Sequence, residues 1–172
     1  MKKVLLHACC APCTTYVHHW LTENRFNPTG FFYNPNIYPI EEYNKRKECM
    51  EHYAFIKKLP VLFIEEDIKP EAGNCKVCYE TRLRMTARCA SINNYHFFST
   101  TLLVSPYQKH DLIRECGTRI AEEEGIEFLY YDLRGNYHEG IETSRKLELY
   151  RQKFCGCSAS LIERGIKYEQ IA

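Results

Sequence analysis

Apolar residues along this chain fall into short runs, and longer stretches of helical spacing separate them. Lys3 to His7, with Val4-Leu5-Leu6 at its centre, predicts a short buried strand. Val17, Trp20 and Leu21 then recur at helical spacing. Pro12, with a fixed φ and no N–H, suits the first turn of that helix. Thr29 to Tyr33 reads as a second strand, and the loop Asn34-Pro-Asn36-Ile-Tyr-Pro39 forbids an immediate helix. A long helix follows from about Ile40 to Leu59, with Tyr43, Met50 and Ala54 on one face and Glu41, Lys45 and Glu48 on another. Pro60 ends it. Val61 to Ile64 is the third strand, and Asp67 to Asn74 a polar loop. The next helix starts at Cys75 and carries the apolar stripe Tyr79, Leu83, Ala87 and Ala90. His96 to Val104 reads as the fourth strand. A helix from about Lys109 to Glu124 turns Ile113, Cys116 and Ile120 inward, with Gly125 as C-cap. Glu127 to Tyr131 is the fifth strand. From about residue 133 the chain reads as loop, helix, Cys155-Gly156-Cys157 and a short helix through Leu161.

Strands alternating with helices predict an α/β domain: a parallel five-stranded sheet with helices on both faces, connected by right-handed crossovers. The whole chain, 1–172, reads as one such domain with a helical, cysteine-bearing extension from about 133. Ligands in such sheets bind at the carboxyl ends of the strands, where strand order reverses. The first and fourth strands flank that point. Their carboxyl ends carry Cys9-Cys10-Ala-Pro12-Cys13 and Ser105-Pro-Tyr-Gln-Lys-His110-Asp111.

Composition changes this picture at one point only. The chain is 45% hydrophobic and 26% charged, ordinary for a globular protein of 172 residues with a real core. Its formal net charge of +1 neither requires nor excludes nucleic acid. The departure is ten cysteines, seven of them in three tight clusters: Cys9-Cys10-x-x-Cys13, Cys75-x-x-Cys78 and Cys155-Gly-Cys157. The chain exceeds the size of a disulfide-stapled module. The run after Met1-Lys2-Lys3 stops at His7, short of a signal peptide, and no stretch approaches membrane-spanning length. The expectation is a reducing cytoplasm, where clustered cysteines serve metal or redox chemistry.

Seven clustered thiols exceed the four ligands of one zinc ion or one cubane. Four could hold an iron–sulfur cluster while two or three hold a second metal beside it. One zinc site with spare buried cysteines and a disulfide network are the competing readings. The side chains of adjacent Cys9 and Cys10 are expected to diverge and to serve two neighbouring centres. Cys49, Cys89 and Cys116 read as core residues. A strand-to-helix turn with free N–H groups favours thiolate at the first cluster. His7 reads as a satisfied core histidine, and Asn34 and Asn36 as turn residues. His110 and Asp111 either position a substrate or cap a helix. Arg82, Arg84 and Arg88 could grip phosphate or form a solvated face, with Lys146, Arg151 and Lys153 as the other basic group. The remaining histidines show no ligand spacing, and no phosphate-loop pattern occurs.

Several motifs together resemble the QueH-type epoxyqueuosine reductases over most of the chain. They are Leu-His-Ala-Cys9-Cys10-Ala-Pro-Cys13, Phe-Tyr33-Asn34-Pro-Asn36-Ile, Glu42-Tyr-x-Lys-Arg46, Cys75-x-x-Cys78-Tyr, Thr100-Thr101-Leu-Leu-x-Ser105-Pro, His110-Asp111 and Tyr150-Arg-Gln-Lys-Phe-Cys155-Gly-Cys157. The resemblance implies a nucleotide-hydrolase-like (HUP, Rossmann-like) fold with the cysteine turn where a phosphate loop would lie. It implies a cobalamin-independent oxidoreductase with a [4Fe–4S] cluster and an adjacent mononuclear iron. The substrate implied is tRNA carrying epoxyqueuosine at the wobble position. Two electrons from an external donor and two protons then remove the epoxide oxygen as water and give queuosine. Carried over residue by residue, Cys10, Cys75, Cys78 and Cys157 hold the cluster, and Cys9, Cys13 and Cys155 face the second iron. Some relatives have a carboxylate where this chain has Cys13. Cys9, Cys13, His110 and Asp111 are the catalytic candidates, with Tyr79 or water as further proton sources. Two other readings stand beside this one: a zinc-stabilised RNA-binding module without catalysis, and an iron–sulfur enzyme of another tRNA modification.

Overall fold

The computed structural model describes residues 1–66 and 73–167, so most of the polar loop expected at 67–74 lies outside the described residues. Five parallel strands form one sheet in the order β3-β2-β1-β4-β5. They are β1 (Lys2–His7), β2 (Phe26–Phe32), β3 (Val61–Phe63), β4 (Phe97–Thr100) and β5 (Glu127–Phe128). The main helices are α1 (Ala11–Glu23), α2 (Ile40–Lys57), α3 (Cys75–Ile92), α4 (His110–Glu124), α5 (Tyr137–Lys146) and α6 (Ser158–Glu163).

Strand β1 is central because its side chains are apolar on both faces. Leu5 packs with α3 and α4 residues such as Leu83, Ala87, Ile113 and Ile120, while Val4 and Leu6 pack with Val17 and Leu21 of α1. Burial on both faces is what a central parallel strand requires. The expected stripe on α3 and the inward residues of α4 are all buried. Gly125 ends α4 in the left-handed region, φ 64°, and donates its N–H to the Ala121 carbonyl. Lys58 ends α2 in the same region, two residues before Pro60.

Three boundaries differ from the pattern-based expectation. The fourth strand stops at Thr100 instead of Val104, and Thr101–Val104 form a 3-10 turn. The reason is Thr100: its Oγ1 accepts from Leu102 N at 3.2 Å and meets His7 Nδ1 at 2.9 Å, so the backbone turns off the sheet there. The fifth strand is two residues long, because β4 ends and leaves nothing further to pair with. Strand β2 starts early, at Phe26. Pro28 is tolerated because β3 joins β2 only from Gly30 onward, so no ladder bond is lost there.

Strand order reverses between β1 and β4, which pair directly from Val4↔Phe97 to His7↔Thr100. The site therefore belongs where the chain leaves those two strands. Beyond residue 133, α5 returns across this end of the sheet. Thr15 Oγ1 of α1 donates to the Gly140 carbonyl of α5 at 3.1 Å. No helix among the described residues is long and apolar enough to cross a membrane.

A candidate metal centre at the end of the central strands

The turn from β1 to α1 is built by its own sequence. Cys10 is the N-cap of α1, with extended backbone at φ −170° and ψ 161°, and its sulfur accepts from Cys13 N at 3.5 Å. That cap turns the Cys10 side chain back over the first helical turn, toward Cys13. The sulfurs of Cys9, Cys10 and Cys13 all lie within 4.8 Å of one another, with Cys9 and Cys10 only 3.7 Å apart. The expected divergence of the adjacent pair is thus overturned: capping geometry, not simple alternation, aims Cys10. Thr101, from the 3-10 turn after β4, accepts from Cys9 N at 3.1 Å and donates to Cys9 Sγ at 3.3 Å. Hydrogen bonds from the Cys10 and Cys13 thiols hold the Cys9 thiol well below the ordinary range, against its burial. Burial raises Cys10, while Cys13 is raised by its contacts with Cys10 and Cys9 and then by burial.

Cys157 is likewise a helix N-cap, its sulfur accepting from Ser160 N of α6 at 3.4 Å, but Cys155 and Gly156 are held from outside. Arg46 of α2 donates to the Cys155 carbonyl at 3.0 Å and the Phe154 carbonyl at 2.9 Å. Tyr38 N donates to the Gly156 carbonyl at 2.7 Å. Arg46 is neutralised by Glu42, 2.6 Å away, and Tyr150 Oη donates to the other Glu42 oxygen at 2.6 Å. Glu42 and Arg46 are 0% and 1% exposed, so this is a buried ion pair with its lone pairs satisfied. Gly156 sits at φ +117°, and a Cβ there would meet Arg46 Nη1 at 3.1 Å. Burial raises the Cys155 thiol; at Cys157, hydrogen bonds from Ser160 overcome burial and lower it.

Two adjoining cavities gather the thiols. The larger, about 250 Å³, is lined by Cys9, Cys13 and Cys155 together with Tyr107, Tyr137 and Gln152. The smaller, about 30 Å³, is lined by Cys75, Cys78, Cys155 and Cys157. Cys155 and Gln108 border both. Gln108 Nε2 donates to Cys155 Sγ at 3.6 Å, and its Oε1 accepts from Tyr79 Oη at 2.7 Å. Cys10 is wholly buried and packs in one apolar cluster with Cys9, Cys13, Cys75 and Cys78. Asn74 N-caps α3 by accepting from Val77 N, which presents Cys75 and Cys78 from the first turn. All ten cysteines are free. Cys49 and Cys116 are in the core, and Cys89 is partly buried against it.

The remaining candidates separate. His7 is buried between Thr100 and Asn34, and burial with the nearby Arg82 charge lowers it to about 4; it is a satisfied core histidine. Asn34 and Asn36 are more than turn residues: Asn34 bonds His7 and the Ala8 carbonyl, and Asn36 Oδ1 accepts from Arg82 Nε at 2.8 Å. Arg82 is therefore buried beneath the thiols and is no part of a solvated face. Arg84 reaches Glu123 at 2.6 Å and Arg88 reaches Glu124 at 2.9 Å, so those cations are spent between α3 and α4. Lys153 borders the larger cavity. His110 is buried with Nε2 3.1 Å from the Ser105 carbonyl, steadying the loop that leads to Gln108. Asp111 is exposed and lies beside Arg114 and Glu115 in a shallow concavity away from the thiols.

Sequence reasoning missed Gln152 and the roles of Arg46 and Tyr107. Gln152 Nε2 lies 2.9 Å from Cys10 Sγ and 3.9 Å from Cys13 Sγ, while its Oε1 is buried without a partner. All three residues sit in or beside the motifs quoted above, but only the fold shows what they touch.

The fold is shared with a chain described as a predicted subunit of tRNA methyltransferase from Methanocaldococcus jannaschii. That likeness has a TM-score of 0.53 at 15% identity, over 81% of this chain and 75% of that one. Epoxyqueuosine reductase QueH from Dehalococcoides mccartyi is 37% identical, over 94% of each chain. Its counterpart from Thermotoga maritima is 36% identical, over all of this chain and 97% of that one. The family model for epoxyqueuosine reductase QueH matches residues 4–163, a span that includes all seven clustered cysteines. The chain belongs to the epoxyqueuosine reductase QueH family, a family of oxidoreductases.

Proposed function

We propose that this protein is an iron–sulfur epoxyqueuosine reductase acting on tRNA. The observation that carries the reading is the convergence of six thiols on two adjoining cavities that share Cys155, with Cys10 buried against Cys9, at the switch point of the sheet. In the reaction, both C–O bonds of the epoxide break and a C=C bond forms. Two electrons from an external donor and two protons leave with the oxygen as water. The donor set suits the proposed metals. Soft thiolates select iron–sulfur clusters, and a tetrahedral metal with bonds of about 2.3 Å spaces its sulfurs by about 3.8 Å. When bound, the cluster supplies single electrons and the second iron supplies Lewis acidity.

This chain's own residues supply the rest. Cys75, Cys78 and Cys157 surround the smaller cavity, and we assign them to the cluster with Cys10. Cys9, Cys13 and Cys155 face the larger cavity, and we assign them to the second iron. Leu102 and Phe154 give that cavity an apolar part of its wall. Burial raises the Tyr137 phenol, so its Oη keeps a proton at neutral pH. Burial does the same at Tyr79, which passes its hydrogen bond to Gln108. The modified base leaves its stack to enter the cavity. Lys153 on the rim meets RNA phosphate. In this reading His110 is a positioning residue for the Ser105 loop.

The test is single turnover by anaerobically purified protein, with chemical reductant and tRNA bearing epoxyqueuosine. Conversion to queuosine, with about five irons per chain and acid-labile sulfide, is expected. A colourless protein holding one zinc and no sulfide would overturn the reading.

The clustering of Cys9, Cys10 and Cys13 within 4.8 Å favours a second partition, in which those three hold the single iron and Cys155 joins the cluster. Cys10→Ser separates the two. Loss of sulfide supports the first partition. Retained sulfide with about one iron lost supports the second.

A further inference from the structure

We propose that Tyr107 is a stacking platform for a nucleobase of the RNA substrate, with Arg164 beside it to take the adjoining phosphate. The proposal rests on the tRNA reading above. Tyr107 is 70% exposed, yet it borders the cavity that Cys9 and Cys13 line. Other strongly exposed apolar side chains, such as Phe55 and Ile92, do not border that cavity.

The exposed ring stands on a fixed loop. Tyr107 N donates to Ser105 Oγ at 3.3 Å, and His110 Nε2 lies 3.1 Å from the Ser105 carbonyl. Tyr79 Oη, itself buried, accepts from Lys109 N at 3.2 Å and donates to Gln108 Oε1. Gln108 and Lys109, the two residues that follow the ring, are thus tied to α3, so little ordering entropy remains to be lost when a base docks. The Tyr137 ring meets Tyr107 edge-on at 5.8 Å and 85°, which sets its orientation.

Arg164 lies 5.7 Å over the Tyr107 ring and, among the described residues, makes no salt bridge. Arg84 and Arg88, by contrast, are neutralised by glutamates. With no carboxylate partner among the described residues, Arg164 is available to a phosphate, and the exposed Tyr107 ring beside it to a base. An aromatic ring paired with a free arginine at the mouth of a cavity is the combination that binds single-stranded nucleic acid.

The test uses the anaerobic holoprotein and a fluorescently labelled anticodon stem–loop RNA, with iron and sulfide content as the control for an intact site. Tyr107→Ala is expected to weaken binding about 5- to 100-fold, as loss of one base stack does. Tyr107→Phe should bind within about twofold of the parent, because the ring and not the hydroxyl makes the stack. Arg164→Ala should weaken binding and lower the salt slope by about one. Tyr107→Ala binding like the parent overturns the proposal, and so does Tyr107→Phe binding as weakly as Tyr107→Ala. Parent protein that fails to bind the RNA at all overturns the tRNA reading itself, and this proposal with it.

Discussion

The two cysteine segments that meet at this site each cap a helix with one cysteine sulfur, but they differ in how much they depend on distant residues. Cys9, Cys10 and Cys13 share a single strand-to-helix turn, and the cap on α1 aims them with contacts at most four residues apart, aided by Thr101. In the second segment Cys157 caps α6 locally, but Cys155 and Gly156 are placed by Arg46, Tyr38 and Gln108, all at least 47 residues from Cys155 in the chain. The first segment springs from the central strand and, beyond its own cap, meets Thr101 and Gln152. The second needs a buried ion pair to remain intact. Damage to the second should therefore be possible without damage to the first, and the converse should hold too.

The largest expected effect comes from removing the ion pair. Arg46→Leu leaves Glu42 buried without its counter-charge, with only the Tyr150 hydroxyl to bond it, a loss of about 3–5 kcal/mol. Denaturant unfolding of metal-free protein should show it. Cys155 is exposed already, so thiol labelling of native protein should rise at the half-buried Cys157 while Cys9 and Cys10 stay protected. Equal exposure of all four would break the comparison. Gly156→Ala is next: its φ of +117° belongs to glycine, and strain of about 1–3 kcal/mol is expected. Its iron content, measured by metal analysis, should fall through loss of the Cys155–Cys157 ligands.

Thr101→Val tests the other segment. It removes both hydrogen bonds to Cys9 and should lower stability by about 1–2 kcal/mol. Labelling should then rise at Cys9 and stay unchanged at Cys155. The smallest effect is a control far from both segments. His18 bonds Tyr53, and burial, with the charges of Lys57 and His19, lowers its pKa. Its stabilising share is complete above the unfolded value of about 6.5 and is lost as pH falls through the lower folded value. Denaturation of metal-free His18→Gln should show a flatter fall in stability toward acid pH, with no change in labelling at any clustered cysteine.

Much was legible from the chain alone. The alternation of Val4-Leu5-Leu6 with the helical spacing of Val17, Trp20 and Leu21 is local, and local steric rules turn it into β1 and α1. Repeating that pattern five times implies the parallel sheet, and the sheet implies a site beyond β1 and β4, where the cysteine turn and the Ser105 loop lie. Other features depended on residues meeting across the fold. Arg82 looks on paper like one of three surface arginines, but the packing of α3 against the 34–36 loop buries it on Asn36. His110 and Asp111 are neighbours in sequence, yet one helical step of about 100° sends one inward and the other to solvent. The nearness of Cys155 to Cys75 and Cys78, and the unpartnered Gln152 oxygen beside Cys10, have no trace in spacing. Backbone propensity and periodicity are short-range, so they fix elements and the order of a sheet. Which buried polar groups find one another is a long-range matter. It is settled only when the 150–157 segment closes over the sheet edge and Arg46 receives its carbonyls.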